Sequence, residues 1–306
     1  MNMVDLLIAD SGVNESAVIE IPCTRAGVFG ADTGSARTSE GADLIERCEQ
    51  LRTANIQLRA LYKELEDDLA VAARVQRHFE PNPIVWGRVR VDTFSQPART
   101  VGGDFGVVCP LDDQHLTLLV CDVSGHGISA ALAASRIFSE ANAHLQTGVP
   151  LREVLSTLNR FALQNFNSSS FFFTAAAVRL DRSGRHMVFA GSGHPPCMLI
   201  KPGAVPLLLE ARSMMLGALQ NAVCHEPVIE MDLEPCDRIL LYTDGVTDVF
   251  DERGEMLGIE GLQNFVRECS LLPFEDMLPA ILERIATWRQ GPFVDDVTLV
   301  LAEAVE

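Results

Sequence analysis

Leucines recur at every seventh position early in the chain, at Leu44, Leu51, Leu58 and Leu65, and Ala72 and Phe79 continue the series. A seven-residue apolar repeat marks a helix that presents one seam to a partner helix. With these as d positions, the a positions are Cys48, Asn55, Tyr62, Leu69 and Gln76. Gly and Pro are absent from Ala42 to Glu80, and Pro81 and Pro83 then end the helix. Such a helix extends roughly 58 Å at 1.5 Å per residue. The mixed a positions make a weak seam, while a single buried Asn selects register and a two-stranded state. Residues 42–80 are thus expected to be a helical linker that forms a parallel dimeric coiled coil and makes the protein a homodimer. A long amphipathic helix packed on its own domain is the other reading. A marginal seam also suits a switch, because a small free energy would change its packing.

The period changes after Pro83. VRVDTFSQ, HLTLLVCDV, FFFTAAAVRL, HMVFAGS, DRILLYTD and VTLVLAE read as strands, and RSG between two of them reads as a hairpin-like turn. Helical patterns fit 128–146, 151–165, 258–268 and 274–289. Strands and helices come in groups rather than in strict alternation, which predicts an α+β fold over residues 81–306 instead of a doubly wound parallel sheet. Residues 1–41 are rich in Gly, Ser, Thr and Ala and point to no fold.

Composition narrows the function. The 306 residues are 47% apolar, enough for a packed core, and carry a formal net charge of −18. That balance argues against a nucleic-acid or anionic-membrane binder. No apolar run approaches the ~20 residues of a membrane span, and MNMVDLLIAD lacks the features of a secretion signal. The eight cysteines are dispersed without a C-x-x-C pair, so reduced core thiols in a cytoplasmic protein are expected.

Four acidic motifs then stand out at strand ends or turns: VGGD (101–104), CDVSGHG (121–127), YTDG (242–245) and VDDVT (294–298). Any one of them suits an ordinary turn. Together they are harder to dismiss, because buried runs such as LTLLV and ILLY would deliver carboxylates to one edge of the sheets. Unpaired carboxylates gathered there repel one another. Divalent cations remove that penalty, and all-oxygen ligation selects hard ions such as Mg²⁺ or Mn²⁺.

The ordered series GGD, DVSGHG, GHPP, YTDGVTD and DDVT resembles the SpoIIE/RsbU-type branch of the metal-dependent serine/threonine protein phosphatases, the PPM superfamily. The likeness covers roughly residues 70–306. It starts at LAVAARVQRHFEP, similar to a family helix that ends in Gln and Pro, and takes in the central strands and the GHPP turn. The resemblance implies two packed antiparallel β-sheets flanked by helices, with a dinuclear metal site of two Mn²⁺ or Mg²⁺ at one sheet edge. By the same resemblance, Asp122 bridges both ions and the Val123 carbonyl binds one of them. Asp104 joins the second ion, Asp244 and Asp295 hold the first, and Asp296 supports the ligands from behind. Gly102, Gly103, Gly125 and Gly127 let backbone pass close to ions and phosphate. The implied reaction is in-line hydrolysis by a dimetal-bound water. The implied substrate is a phosphorylated anti-anti-sigma (STAS) type protein of a bacterial partner-switching pathway, with an upstream regulatory partner acting at the N-terminal helix.

Some positions depart from the pattern. Gly106 and Val107 stand where many relatives carry an aromatic and an acidic residue, and Asp248 stands where Glu is common. No clear phosphate-binding arginine appears, and Arg99 reads as solvated. His126 is expected to serve its turn rather than transfer protons, and His194 to fix a turn by hydrogen bonding. Cys121 reads as a core thiol and Phe171–Phe173 as core strand. Three rival functions follow: a silent phosphoprotein-binding scaffold of the same fold, a dimetal hydrolase of small phosphoesters, and a pure dimeric interaction protein working through residues 42–80.

Overall fold

The computed structural model describes residues 36–166, 171–220, 222–223 and 228–305, with side chains from residue 43 onward. The unassigned segment 1–41 lies almost wholly outside them. The chain divides into two units, Met1–Val71 and Ala72–Glu306.

Helix α1 spans Ala36–Gln76 and passes from the first unit into the second. Along it Leu44, Leu51, Leu58 and Leu65 are between 47% and 68% exposed, so the leucine seam is uncovered in the single chain. α-Helical geometry stops at Gln76, and a 3₁₀ turn at Arg77–Phe79 follows. Glu80 is already extended, at φ −70° and ψ 134°, as the residue before a proline prefers.

The second unit packs two antiparallel sheets face to face. One holds β1 (Ile84–Trp86), β2 (Val89–Gln96), β7 (Cys197–Ile200), β8 (Leu207–Leu209), β10 (Arg238–Tyr242) and β11 (Val297–Ala304), in the order β1-β2-β11-β10-β7-β8. The other holds β3 (Phe105–Pro110), β4 (His115–Val123), β5 (Phe173–Asp181), β6 (His186–Ser192) and β9 (Ile229–Asp232), in the order β3-β4-β5-β6-β9. Helices α2 (Ile128–Leu145) and α3 (Leu151–Asn165) cover the second sheet, and α4 (Gly258–Cys269) and α5 (Phe274–Trp288) cover the first. Among the described residues no helix is long and apolar enough to cross a membrane.

Period-2 alternation assigns each strand residue to a layer. Leu119, Cys121, Val123, Ala175 and Ala177 face α2 and α3, while Leu240, Tyr242, Leu299 and Leu301 face α4 and α5. The intervening residues, among them Leu118, Val120, Ala176, Val178, Ile239, Leu241, Val300 and Ala302, form the core between the sheets. At one end this inner face turns polar on strand after strand. Continuing the alternation, the inner-face position at this end is Ser95 near the end of β2, Asp122 near the end of β4 and Thr174 near the start of β5, while Thr243 follows β10 and Thr298 lies near the start of β11. The registers align these positions: Ser95 pairs with Thr298 and Asp122 with Thr174, and the Thr243 amide donates to the Thr298 carbonyl at 3.0 Å. An apolar core that ends in carboxylates and hydroxyls places the chemistry at one edge of the sandwich.

The six strands and four helices read from the pattern after Pro83 are present, some to the residue and the others with shifted ends. β1, β3, β7, β8 and β9 are additions.

Candidate active site

Asp104 lies at the end of an irregular stretch, residues 97–104, that leads into β3. Asp296 shapes this stretch: its Oδ1 accepts from the Ala98 amide at 2.8 Å and its Oδ2 from the Gly103 amide at 2.6 Å. The last helical residue of α1 grips the same stretch from another side. Gln76 Nε2 donates to the Gly102 carbonyl at 2.6 Å, and the Gly102 amide donates back to Gln76 Oε1 at 3.1 Å. A Cβ on Gly103 would stand 2.7 Å from the Val123 carbonyl oxygen, so glycine is what lets this loop lie against the end of β4. Gly106 answers a different neighbour. A Cβ there would meet the Pro81 ring at 2.7 Å, so the missing aromatic side chain leaves room for the linker proline.

Asp122 and Asp104 lie close enough for their side chains to influence one another, and two carboxylates brought together without a cation repel. Burial first, then Asp244 and Asp295 nearby, push the Asp122 pKa up to about 7. Burial, then the charges of Asp248 and Asp295, raise Asp244 to about 6. Asp104 is raised well above the carboxylate range, by burial and then by Asp122, with the nearby Thr243 hydroxyl pulling the other way. Its Oδ2 is enclosed and has no hydrogen-bond partner. Asp295 is exposed at the rim, with Oδ1 accepting from the Asp296 amide at 2.8 Å. The structure therefore brings Asp104, Asp122, Asp244 and Asp295 into one mutually repelling group, with the Val123 carbonyl beside it.

Among the described residues, no three His, Cys, Asp or Glu side chains are drawn into a closed metal cage. The carboxylates stand off from one another, as like charges do. The donor set nevertheless fits a hard divalent cation. It is all oxygen, it carries a surplus of negative charge, and it includes a buried carboxylate oxygen without a donor. Asp296 is different: both of its oxygens already accept from backbone amides, which suits a loop anchor.

The other singled-out residues separate clearly. Cys121 is fully buried and its thiol pKa is driven well up, chiefly by burial, as a core thiol requires. His126 and Arg99 are exposed. Phe173 is core, whereas Phe172 is 41% exposed. Ser168–Ser170, expected from the sequence to be a polar loop, lie outside the described residues. His194 is buried, but its hydrogen bond crosses to Thr174 of β5 at 2.8 Å instead of closing its own turn. Thr174 and Thr243 were not legible as site residues, because a threonine ending an apolar strand carries no signal of its own.

The two-sheet sandwich with its carboxylate edge defines the class: a serine/threonine phosphatase of the metal-dependent PP2C type. Residues 112–305 match the model of the Stage II sporulation protein E (SpoIIE) family, and the chain belongs to that family. Phosphoserine phosphatase RsbU of Bacillus subtilis (strain 168) is 27% identical over 246 residues, spanning 80% of this chain and 72% of RsbU. Phosphoserine phosphatase RsbP of the same organism is 26% identical over 184 residues, 59% of this chain and 45% of RsbP, so the chain spans under half of that relative. The SiaA-PP2C domain of Pseudomonas aeruginosa superposes with a TM-score of 0.69 at 22% identity, covering 81% of this chain and 99% of the domain, and shares the fold.

Proposed function

We propose that this protein hydrolyses phosphoserine or phosphothreonine in a protein substrate at the carboxylate edge, with two Mn²⁺ or Mg²⁺ as cofactors. Asp104, Asp122, Asp244, Asp295 and the Val123 carbonyl would hold the ions. Divalent cations bound there would neutralise the carboxylates, polarise the phosphoryl oxygens and acidify a water. The chain's own part is to hold these groups in place. Asp296 and Gln76 fix the 97–104 stretch from two sides, and Gly103 lets the Val123 carbonyl reach the edge. The observation that carries this reading is the buried Asp104 carboxylate, with an orphaned Oδ2, paired with Asp122 among further acids that repel both. Such a pair is costly unless something positive compensates it.

Its likeness to RsbU and RsbP supports a phosphorylated STAS-type protein of a partner-switching pathway as the substrate. The exposed leucine seam of α1 supports a parallel homodimer, and an upstream partner acting on that seam would regulate the site through Gln76. The deciding experiment is phosphate release from a phosphoserine protein and from an aryl phosphate while Mn²⁺ and Mg²⁺ are titrated. We expect metal-dependent turnover that falls at least about 100-fold in Asp122→Ala and Asp244→Ala. Absence of both turnover and metal binding in the wild type would replace this reading with the scaffold.

A further inference from the structure

A cavity of about 260 Å³ lies at the β6–β9 side of the layer between α3 and the second sheet. Leu155 of α3, Phe189 and Ala190 of β6, Val223, Val228 and Ile229 give it an apolar lining. The stretch 210–213 adds to its wall and lies directly on β6, where a Cβ on Gly191 would collide with Ala211. None of the four acids of the carboxylate edge lines this cavity, and binding there does not require the hydrolytic reading.

Three charged side chains and one hydroxyl interrupt the apolar lining. Glu210 and Arg212 are exposed and pair with each other, Arg212 Nε donating to Glu210 Oε2 at 3.3 Å, so their charges cancel. Arg152, in the first turn of α3, is different. Its Nε is enclosed and has no hydrogen-bond partner, and among the described residues no carboxylate pairs with its guanidinium. On the 210–213 stretch, Ser213 is 6% exposed. Its carbonyl accepts from the Gly193 amide at 2.7 Å, whereas its hydroxyl has no hydrogen bond among the described residues.

A guanidinium set in an apolar wall without a counter-charge is costly, and so is a buried hydroxyl without a partner. One anion that reaches both satisfies both, since each has a proton to donate. The uncompensated charge is that of a single arginine. One carboxylate balances it, whereas a phosphomonoester dianion would leave a negative charge in excess. The rest of the ligand must be apolar, because the other described residues of the lining carry no polar side chain. A cavity of about 150 Å³ holds benzene, so this one has room for a ring or a branched chain beside the acid group. We propose that the cavity binds a small monocarboxylic acid with an apolar body, its carboxylate held by Arg152 and Ser213.

The test titrates the full chain with phenylacetate, followed by ligand-observed NMR, with and without Mn²⁺. Saturable binding with a Kd of about 0.1–1 mM is expected in both conditions. Phenylacetamide has the same shape without the charge and should bind at least about 10-fold more weakly. Without Mn²⁺, phenyl phosphate should bind no more tightly than phenylacetate. Arg152→Met should weaken the acid about 10-fold or more and Ser213→Ala about 3-fold. The exposed, paired Arg212 should matter less, so Arg212→Gln should stay closer to wild type than Arg152→Met. The comparison of acid with amide uses the wild type alone and stands even where a variant fails to fold. Equal binding of acid and amide, or no saturation below about 10 mM, would overturn the proposal. So would tighter binding of the phosphate, a larger loss in Arg212→Gln than in Arg152→Met, or binding that needs Mn²⁺, which would place the acid at the carboxylate edge.

Discussion

Asp296 uses both carboxylate oxygens on backbone amides of the stretch that carries Asp104. In Asp296→Asn one of those amides would face an NH₂ group. We expect half-saturating Mn²⁺ to rise about 10-fold, the usual range for losing a partner behind a metal ligand; an unchanged titration would contradict it. The acids at the edge also set a pH dependence. Asp122 is raised from 3.8 to about 7 and Asp244 from 3.8 to about 6, so between those limits the metal-free folded state binds more protons than the unfolded one. Their contribution to stability is fullest below about pH 4 and is lost as pH rises through 6 to 7. Added Mn²⁺ relieves that repulsion, so the gain in melting temperature should be larger at pH 8 than at pH 5.5; thermal scans showing the reverse would refute it. The acids themselves were legible, because Asp122 and Asp244 close long apolar runs and Asp104 and Asp244 sit beside glycine. What holds them was not: Gly103 and Asp296 are 193 positions apart, and Gly102 and Gln76 are 26 apart. No local pattern announces a contact at such separations.

At the scale of elements, α1 does more than extend from the sandwich. Its final residue makes a two-point amide contact with the Gly102 backbone, and the 3₁₀ turn that follows places Phe79 against Phe138 of α2, with ring centroids 4.7 Å apart. A change in how α1 ends therefore reaches the Asp104 stretch directly. Gln76→Ala should weaken Mn²⁺-dependent turnover about 10-fold while leaving the melting temperature within a few degrees. Loss of stability without loss of metal response would mean the contact is only structural. Long alternating runs such as HLTLLVCDV and HMVFAGS were read to the residue, since period 2 and β-branched or large apolar side chains agree there. FGVVCP (β3) was missed: it opens beside two glycines, ends in proline, and packs its own glycine under Pro81. The three-residue β1 and β8 are too short for any period to register. The helix was read six residues short at its start, because Gly41, taken as a boundary, lies within it.

For the whole molecule, the uncovered seam and the catalytic sandwich are joined by one continuous helix. Removing residues 1–70 leaves the whole of the second unit, Ala72–Glu306. The full chain should sediment as a dimer and the shortened protein as a monomer, and metal-dependent phosphate release should change with it. Full activity alongside an unchanged association state would refute the coupling.

β11 follows every other strand in the chain, yet it lies between β2 and β10 in the middle of its sheet. Asp295 and Asp296 immediately precede it. On a ribosome adding about 5–20 residues per second, Asp295 follows Asp244 by roughly 3 to 10 seconds. During that interval the nascent chain carries Asp104, Asp122 and Asp244, but β2 has no partner on its β11 side and nothing anchors the 97–104 stretch from behind. A copy halted before Asp295 has three of the four acids and no Asp296 anchor, so under the proposed function a half-made molecule would not hydrolyse its substrate.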